Sequence, residues 1–154
     1  NHWFNGFPRK SAYQTLNATG YLENSIPDDA EAIRWLNKNV KGQPVVLEAC
    51  GDSYQNYDNR VSAMTGLPTV LGWYVHEWLW RNNLEEENQR KADVETIYTS
   101  TDKNKIQELI KKYHVVYLFI GTCEYEKYGK INTDLLDSLG QVVFRKGKTL
   151  IIKV

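Results

Sequence analysis

The fold is decided by residues 102–120, DKNKIQELIKKYHVVYLFI. The first part of this stretch, residues 102–113, carries apolar side chains at i, i+3, i+4 and i+7, which predicts an amphipathic helix with Ile106, Leu109, Ile110 and Tyr113 on its buried face. Residues 115–120 follow as an unbroken apolar run, which is typical of a strand covered on both faces in a parallel sheet. A helix that leads directly into such a strand indicates an α/β fold.

The segments on either side extend this α/β order. Upstream, Pro27 and Asp28 open a predicted helix, and Glu31 stands three residues after Asp28 as in a capping box. Gly42 is expected to end this helix in the left-handed conformation. Further predicted elements are short strands at residues 45–47 and 69–71, a short helical stretch at 60–65, an exposed helix at 84–98, a short helix at 133–139 and a hairpin of residues 141–145 and 149–153.

This order predicts the fold class and the domain organisation. We expect an α/β three-layer sandwich whose mixed sheet is parallel in its centre and antiparallel at its C-terminal hairpin. Residues 1–27 mix aromatic side chains with Gly, Pro, Asn and Ser without a sustained period, so they predict an irregular N-terminal arm. Residues 28–154 are predicted to form a single α/β domain.

Composition excludes several classes of protein. The 154 residues are 42% hydrophobic and 25% charged, and 19 basic side chains balance 19 acidic ones. A formal charge of zero argues against a general nucleic-acid binder, which needs a basic surface. No run of 18 apolar residues occurs, so no segment of this sequence is expected to span a bilayer. Met64 is the single methionine, and we therefore expect a chain that opens at Asn1 to be the C-terminal domain of a longer protein.

The motifs of several common active sites are incomplete in this sequence. The loop at residues 48–57, EACGDSYQNY, lacks the glycines that bring a backbone close to a pyrophosphate, and the sequence contains no Walker motif. No nucleotide cofactor is therefore expected. His76-Glu77 begins like a zinc-protease helix, but Trp80 occupies the place of the second histidine, and no other metal-ligand spacing occurs.

The unusual stretch is residues 72–81, GWYVHEWLWR. Flat aromatic faces beside hydrogen-bonding side chains suit a sugar, whose C–H faces stack while its hydroxyls bond to Glu, His or Arg. The alternative is that these tryptophans belong to the core, and that His76, Glu77 and Arg81 tie down a long connection. Tryptophan is rarely fully buried, which favours some aromatic surface at a cleft or interface.

Glu48 is placed at the C-terminal end of a buried strand, the end that faces the ligand crevice in open α/β sheets. Its alternative role is a buried ion pair with Arg60 or Arg81, because a buried carboxylate needs a partner. If the strands at 45–47 and 69–71 are parallel, Glu48 and residues 76–81 leave the core at one edge and should meet at one crevice.

Cys50 and Cys123 each follow a predicted strand. They could form a disulfide if the two strands are neighbours, and the alternative is two ordinary free thiols.

Several segments together resemble the C-terminal region of the YYY-type polytopic membrane proteins, an uncharacterised family. They are PVVLEA at residues 44–49, Ser53-Tyr54, RVSAMTGLPTVLGW at 60–73, His76-Glu77 and Trp80-Arg81. AIRWLN at residues 32–37 also fits, and the resemblance covers about residues 20–154. The membrane portions of that family resemble class-C glycosyltransferases, which draw sugars from polyprenyl-phosphate donors. The resemblance implies an extracytoplasmic domain tethered to its own upstream membrane domain, and it supplies no established catalytic residues.

The resulting hypothesis is an extracytoplasmic accessory domain of a glycosyltransferase-like membrane protein that binds or positions a glycan, a polyprenyl-linked sugar or an acceptor. No catalytic residue, metal or cofactor is assigned, and the fragment alone is expected to be inactive. One alternative is a non-catalytic structural or interaction module that docks on its membrane domain or on a partner chain. A further alternative is a hydrolase that uses Glu48 or Glu77 as acid or base. The candidate ligand-binding residues are Glu48, Tyr54, Arg60, Trp73, His76, Glu77, Trp80 and Arg81.

Overall fold

A computed structural model describes residues 20–51, 57–81 and 84–154. In chain order its elements are α1 (Gly20–Ser25), α2 (Pro27–Asn39), β1 (Val45–Leu47), α3 (Arg60–Thr65), α4 (Tyr74–Arg81), α5 (Leu84–Thr99), α6 (Lys103–Lys112), β2 (Val115–Ile120), α7 (Thr122–Tyr128), α8 (Thr133–Asp137), β3 (Gln141–Lys146) and β4 (Thr149–Lys153). No helix within these ranges is both long enough and apolar enough to cross a membrane.

The sheet formed by the described strands has the order β1-β2-β4-β3. Strands β1 and β2 are parallel, whereas β4 is antiparallel to both β2 and β3. The predicted mixed sheet with a C-terminal hairpin is therefore confirmed. Residues 69–71 are not the second full strand that the sequence predicts, because they pair with β1 only through one parallel bridge from Thr69 to Val46. Pro68 precedes that bridge and has no backbone N–H to continue the ladder.

Helices cover both faces of the sheet. Strand β2 alternates between two apolar clusters, with Leu118 and Ile120 in one and Phe119 in the other. The first cluster includes Val94, Ile97, Ile106 and Leu136 from α5, α6 and α8. The second includes Leu22, Ile33, Leu36 and Val61 from α1, α2 and α3. These two clusters confirm the predicted three-layer sandwich.

Helix α6 confirms the strongest periodic signal of the sequence. Its N-cap Asp102 accepts hydrogen bonds from the backbone N–H groups of Asn104 and Lys105, and Ile106 is fully buried. Leu109 packs against the same cluster but is only partly buried. The helical face is thus the predicted one, and Ile106 is its main anchor.

The start of α2 differs from the prediction. Ile26 occupies the N-cap position without a side-chain cap, so the capping box from Asp28 to Glu31 is wrong. Pro27 at the first turn has no N–H that would need a cap, and Glu31 instead pairs with Lys146 of β3. Gly42 adopts the expected left-handed conformation, at φ 77°, but it does not end the helix, because α2 ends at Asn39 and its C-cap Val40 is extended.

Part of the predicted N-terminal arm is helical. Residues 20–25 form α1, whose Leu22 is buried, and Ile26 is buried immediately after it. Residues 1–19 lie outside the described residues, and the arm as a whole stays a prediction.

Candidate functional site

A buried ionic network lies where the parallel strands β1 and β2 end, and it consists of Asp29, Arg60 and Glu124. Arg60 donates from Nε to Asp29 Oδ2 at 2.8 Å and from Nη2 to Glu124 Oε2 at 2.7 Å. All three side chains are fully buried, and the guanidinium lies 5.0 Å from the ring centroid of Phe119. One cation therefore serves two buried carboxylates that come from α2 and α7.

The two carboxylates of this network also bind the surrounding backbone. Asp29 accepts from the Thr149 hydroxyl of β4 at 2.7 Å and from the first backbone N–H of α7 at 3.1 Å. Glu124 accepts from the backbone N–H groups of Ala49 and Gly121, both at 2.8 Å. The network therefore joins α2, α3, α7 and the ends of β1 and β2 at one edge of the sheet.

Glu48 follows β1 directly and is 1% exposed. Its carboxylate accepts from the backbone N–H of Val61 at 2.8 Å and of Ser62 at 2.7 Å, which holds the first turn of α3. Burial raises the pKa of Glu48, although the charge of Arg60 and the two backbone donors act in the opposite direction. The alternative role of Glu48, an ion pair with Arg60 or Arg81, is wrong, because Arg60 joins the buried ionic network and Arg81 pairs with Glu77 on α4.

Two hydrogen bonds connect α3 to the segment that leads into α4. Asn59, in the left-handed conformation at φ 55°, donates from Nδ2 to the Leu71 carbonyl at 3.0 Å. The indole N–H of Trp73 donates to the Asp58 carbonyl at 3.1 Å. These bonds hold the indole of Trp73 beside the N-terminal end of α3.

The segments that follow β1 and residue 71 leave the core at one edge, as the sequence predicts. The backbone N–H of Tyr74 donates to the Gly51 carbonyl at 3.4 Å. Ser62, which donates to Glu48, lines the same cavity as His76. Glu48 and α4 are therefore separated by the first turn of α3, and they do not touch each other across an open crevice.

The α3–α4 cavity is a shallow, open depression with a volume of about 440 Å³. Its wall is mainly apolar, and the Trp73 ring, 40% exposed, lies 5.0 Å from the His76 ring. The buried amide oxygen of Asn59 has no hydrogen-bond partner among the described residues. The cavity is lined by Asn59, Ser62, Ala63, Gly72, Trp73, His76 and Glu77.

Glu77 has partners at both of its carboxylate oxygens. Oε1 accepts from the backbone N–H of Gly72 at 2.6 Å, and Oε2 lies 3.6 Å from Nε of Arg81. A Cβ atom at position 72 would lie 2.7 Å from Oε1, so a larger residue there would displace the flexible Glu77 carboxylate. Glu77 thus fixes the start of α4 against the end of the preceding segment.

The structure brings together only some of the predicted ligand-binding residues. Trp73, His76 and Glu77 line the α3–α4 cavity. Trp80 is 86% exposed on α4, and neither it nor Arg81 lines the cavity. Glu48 and Arg60 are buried and do not line the cavity, and Tyr54 lies outside the described residues.

The alternative in which the tryptophans of this stretch form core is wrong. None of the residues of α4, all of which the structure describes, is buried. Trp73 and Trp78 are 40% and 37% exposed, and Trp80 is more exposed still. The aromatic stretch is therefore a surface feature.

Sequence reasoning missed Asp29 and Glu124. The capping box predicted at the start of α2 used Asp28 and Glu31 and assigned no role to Asp29, and Glu124 lies in a segment for which the sequence predicted no element. The one available signal was Arg60, because an arginine that becomes buried requires acidic partners.

The two cysteines are free thiols in the structure. The Sγ atom of Cys123 lies 3.7 Å from the Tyr57 carbonyl, and burial raises the pKa of this thiol to about 12. Within the described ranges, no group of three or more His, Cys, Asp or Glu side chains is placed to hold a metal ion.

Comparison with known proteins adds a structural likeness. No protein-family model matches the chain, and no curated protein sequence matches it. Among solved structures, the chain is similar to the C-terminal globular domain of an oligosaccharyltransferase from Archaeoglobus fulgidus, with a TM-score of 0.52 and 15% sequence identity. The match covers 82% of this chain and 96% of that chain. At this identity the likeness shows a shared fold.

Proposed function

We propose that this chain is an extracytoplasmic accessory domain of a glycosyltransferase-like membrane protein, and that it binds or positions a glycan, a polyprenyl-linked sugar or an acceptor in the α3–α4 cavity. The observation that carries this proposal is the cavity itself, in which the Trp73 indole stands beside His76 and Glu77 over a mainly apolar wall.

The chemistry of the cavity fits a sugar ring. The exposed indole of Trp73 offers a flat face on which the C–H side of a pyranose stacks. The unpaired amide oxygen of Asn59 is an acceptor that a ligand hydroxyl would satisfy after a small side-chain movement, and an unsatisfied buried acceptor costs about 1–3 kcal/mol. In this proposal Glu48 and Arg60 do not touch the ligand, because they are buried, and they position α3 instead.

A structural likeness supports a membrane glycosylation context, and the expected sequence resemblance agrees with it. The fold resembles a domain of an oligosaccharyltransferase, and the segment at residues 60–73 resembles membrane proteins with a glycosyltransferase-like portion. On this basis the partner is the chain's own upstream membrane domain. The hydrolase alternative has less support, because both oxygens of Glu48 accept backbone hydrogen bonds and both oxygens of Glu77 have partners.

The test is ligand-observed NMR by saturation transfer with a panel of monosaccharides and short oligosaccharides that includes glucose, mannose and N-acetylglucosamine. We expect at least one sugar to receive saturation from the wild-type protein and none from Trp73→Ala. Trp78→Ala is the matched control, because Trp78 is 37% exposed but does not line the cavity. Absence of transfer to every sugar, or an equal loss in Trp78→Ala, would contradict the proposal.

A second candidate function is a non-catalytic module that docks on its membrane domain or on a partner chain. The observation that favours it is the exposed apolar surface of α4, where Leu79 is 62% and Trp80 is 86% exposed. The test is whether the isolated domain binds the purified membrane portion. This alternative would be favoured if the wild-type domain binds it, Trp80→Ala does not, and neither the wild type nor the variant binds any sugar.

A further inference from the structure

The first turn of α3 is capped from outside the helix. Its N-cap residue is Asn59, and the side chain of an N-cap residue ordinarily accepts from the second or third backbone N–H of the helix. The Asn59 side chain makes no such bond. Instead, the Glu48 carboxylate accepts from both of these groups, the N–H of Val61 and the N–H of Ser62. A carboxylate that follows β1 therefore takes the place of the local cap.

Asn59 has a different role in this arrangement. Its backbone is left-handed at φ 55°, whereas an N-cap residue is ordinarily extended. Its Nδ2 donates to the Leu71 carbonyl, which directly precedes Gly72 and Trp73 of the cavity wall. Its Oδ1 is buried and has no hydrogen-bond partner among the described residues. Asn59 thus carries an unused acceptor at the position where a cap acceptor belongs.

Protonation of Glu48 would disturb this arrangement. A carboxylate accepts hydrogen bonds at both oxygens, whereas a carboxylic acid turns one oxygen into an O–H donor. Protonated Glu48 can therefore hold only one of the two N–H groups, and a buried N–H without an acceptor is unfavourable. Burial raises the pKa of Glu48, so the folded protein takes up this proton at a higher pH than an exposed glutamate does.

The charged and titratable groups around Glu48 come from four helices. Arg60 of α3 stabilises the ionised form through its charge, but its hydrogen bonds go to Asp29 of α2 and Glu124 of α7. Tyr98 of α5 interacts with Glu48, and burial raises the pKa of this tyrosine well above its ordinary value, so it stays neutral. The hydrogen bonds that stabilise the charge of Glu48 come from the first turn of α3. The ionisation of Glu48 and the capping of α3 are therefore coupled.

We propose that the first turn of α3 exchanges its cap when Glu48 changes its ionisation state. Ionised Glu48 holds the turn while Asn59 holds the Leu71 carbonyl, as in this structure. When Glu48 takes up a proton from solvent, Asn59 moves into the N-cap conformation, accepts the N–H that Glu48 releases, and lets go of Leu71. The segment that carries Trp73 then loses an anchor, and the α3–α4 cavity loses its shape at acidic pH. The effect on ligand affinity rests on the proposed function, whereas the exchange of caps does not.

Two-dimensional NMR of the ¹⁵N-labelled protein, recorded between about pH 4.5 and pH 8, tests the exchange without a ligand. We expect the backbone N–H signals of Val61 and Ser62 and the indole N–H signal of Trp73 to shift with one common midpoint above 4.5. Glu48→Gln should abolish this common titration. Glu23→Gln is the matched control and should retain it, because Glu23 pairs with Arg34 on the surface. Circular dichroism verifies that each variant keeps its fold.

Asn59→Gly separates an exchange of caps from a simple titration. Glycine adopts the left-handed backbone readily but offers neither a spare acceptor nor an amide for Leu71. In this variant Val61 and Ser62 should still follow the pH, and Trp73 should not. His76→Gln should leave the Trp73 response in place, which excludes the neighbouring imidazole as its source. A wild-type Trp73 signal that does not follow Glu48, or one that still follows it in Asn59→Gly, would overturn the proposal.

The consequence for binding is measured with a sugar that binds the wild-type protein. Its affinity should fall about two- to tenfold across the titration of Glu48, which corresponds to the loss of one hydrogen bond, and should not change with pH in Glu48→Gln. A constant affinity in the wild type would show that the cap does not control the cavity. If every sugar failed to bind, the proposed function would be contradicted, and the NMR titrations alone would decide the exchange of caps.

Discussion

Replacement of Arg60 by methionine is the most informative perturbation of this fold. It leaves Asp29 and Glu124 as two buried carboxylates without their shared cation. Breaking a buried ion pair by removal of one partner costs about 3–5 kcal/mol. We expect Arg60→Met to lose at least that amount, which is a large part of the roughly 5–15 kcal/mol that stabilises a typical domain.

The geometry sets the scale of this loss. Arg60 makes close bonds to two carboxylates, at 2.8 Å and 2.7 Å, and its side chain has no exposed surface. The cost does not rise much further, because Asp29 keeps the Thr149 hydroxyl and Glu124 keeps two backbone N–H donors. Methionine fills much of the vacated volume, so the contribution of a cavity is small.

Urea unfolding followed by circular dichroism and tryptophan fluorescence measures this loss. Arg60→Lys should be less harmful than Arg60→Met, because it restores a charge but not the planar guanidinium that reaches both acids. The matched control is Arg34→Met, which breaks an exposed pair with Glu23 at 3.3 Å and should cost less than about 1 kcal/mol. If Arg60→Met cost no more than this control, the buried ionic network would not be a source of stability.

Three further predictions concern stability, pH and thiol reactivity. Ile106→Ala should lower the free energy of unfolding in urea by about 2–5 kcal/mol, because Ile106 is fully buried. Leu109→Ala should lower it by about 1–2 kcal/mol, because Leu109 is only partly buried. Equal losses for the two variants would contradict this difference in burial. Burial raises the pKa of Glu48, so the folded state binds its proton more tightly than the unfolded state. The free energy of unfolding of the wild type should therefore fall relative to that of Glu48→Gln as the pH rises from below the ordinary pKa of 4.5. A difference in unfolding free energy between the two proteins that stays constant across pH would refute this. Cys50 and Cys123 should both titrate as free thiols in non-reducing denaturant. In the native protein at pH 8, Cys123 should react slowly with iodoacetamide, because burial raises the pKa of its thiol to about 12. Fast alkylation of Cys123 in the native protein would contradict its burial.

The parts of the fold that the sequence predicted correctly are those with a local signal. The spacing of Ile106, Leu109 and Ile110 repeats with the helical period, and the apolar run that follows it has the length of one strand. The hairpin was recognisable because Lys146-Gly147-Lys148 separates two runs rich in apolar and β-branched residues; in the structure Gly147 adopts φ 53°. Each of these signals depends on residues within a few positions of one another.

The candidate site was predictable only in part, because its geometry depends on distant residues. The concentration of aromatics around Trp73 and His76 was visible in the sequence, but which of them face a cavity depends on the position of α3. The buried ionic network was invisible, since Arg60 is 31 residues from Asp29 and 64 from Glu124. No local rule pairs charges over such separations, and the acidic partners have ordinary sequence neighbours.

The position of β4 in the sheet has a consequence for the order in which the domain folds. Residues 149–153 form an interior strand between β2 and β3, although they follow both of these strands in the chain. Asp29 also receives its hydroxyl partner from Thr149, 120 residues later. Contacts of such high sequence separation slow folding, because the loops between them must close first. The domain therefore cannot complete its sheet until the residues of β4 have been synthesised.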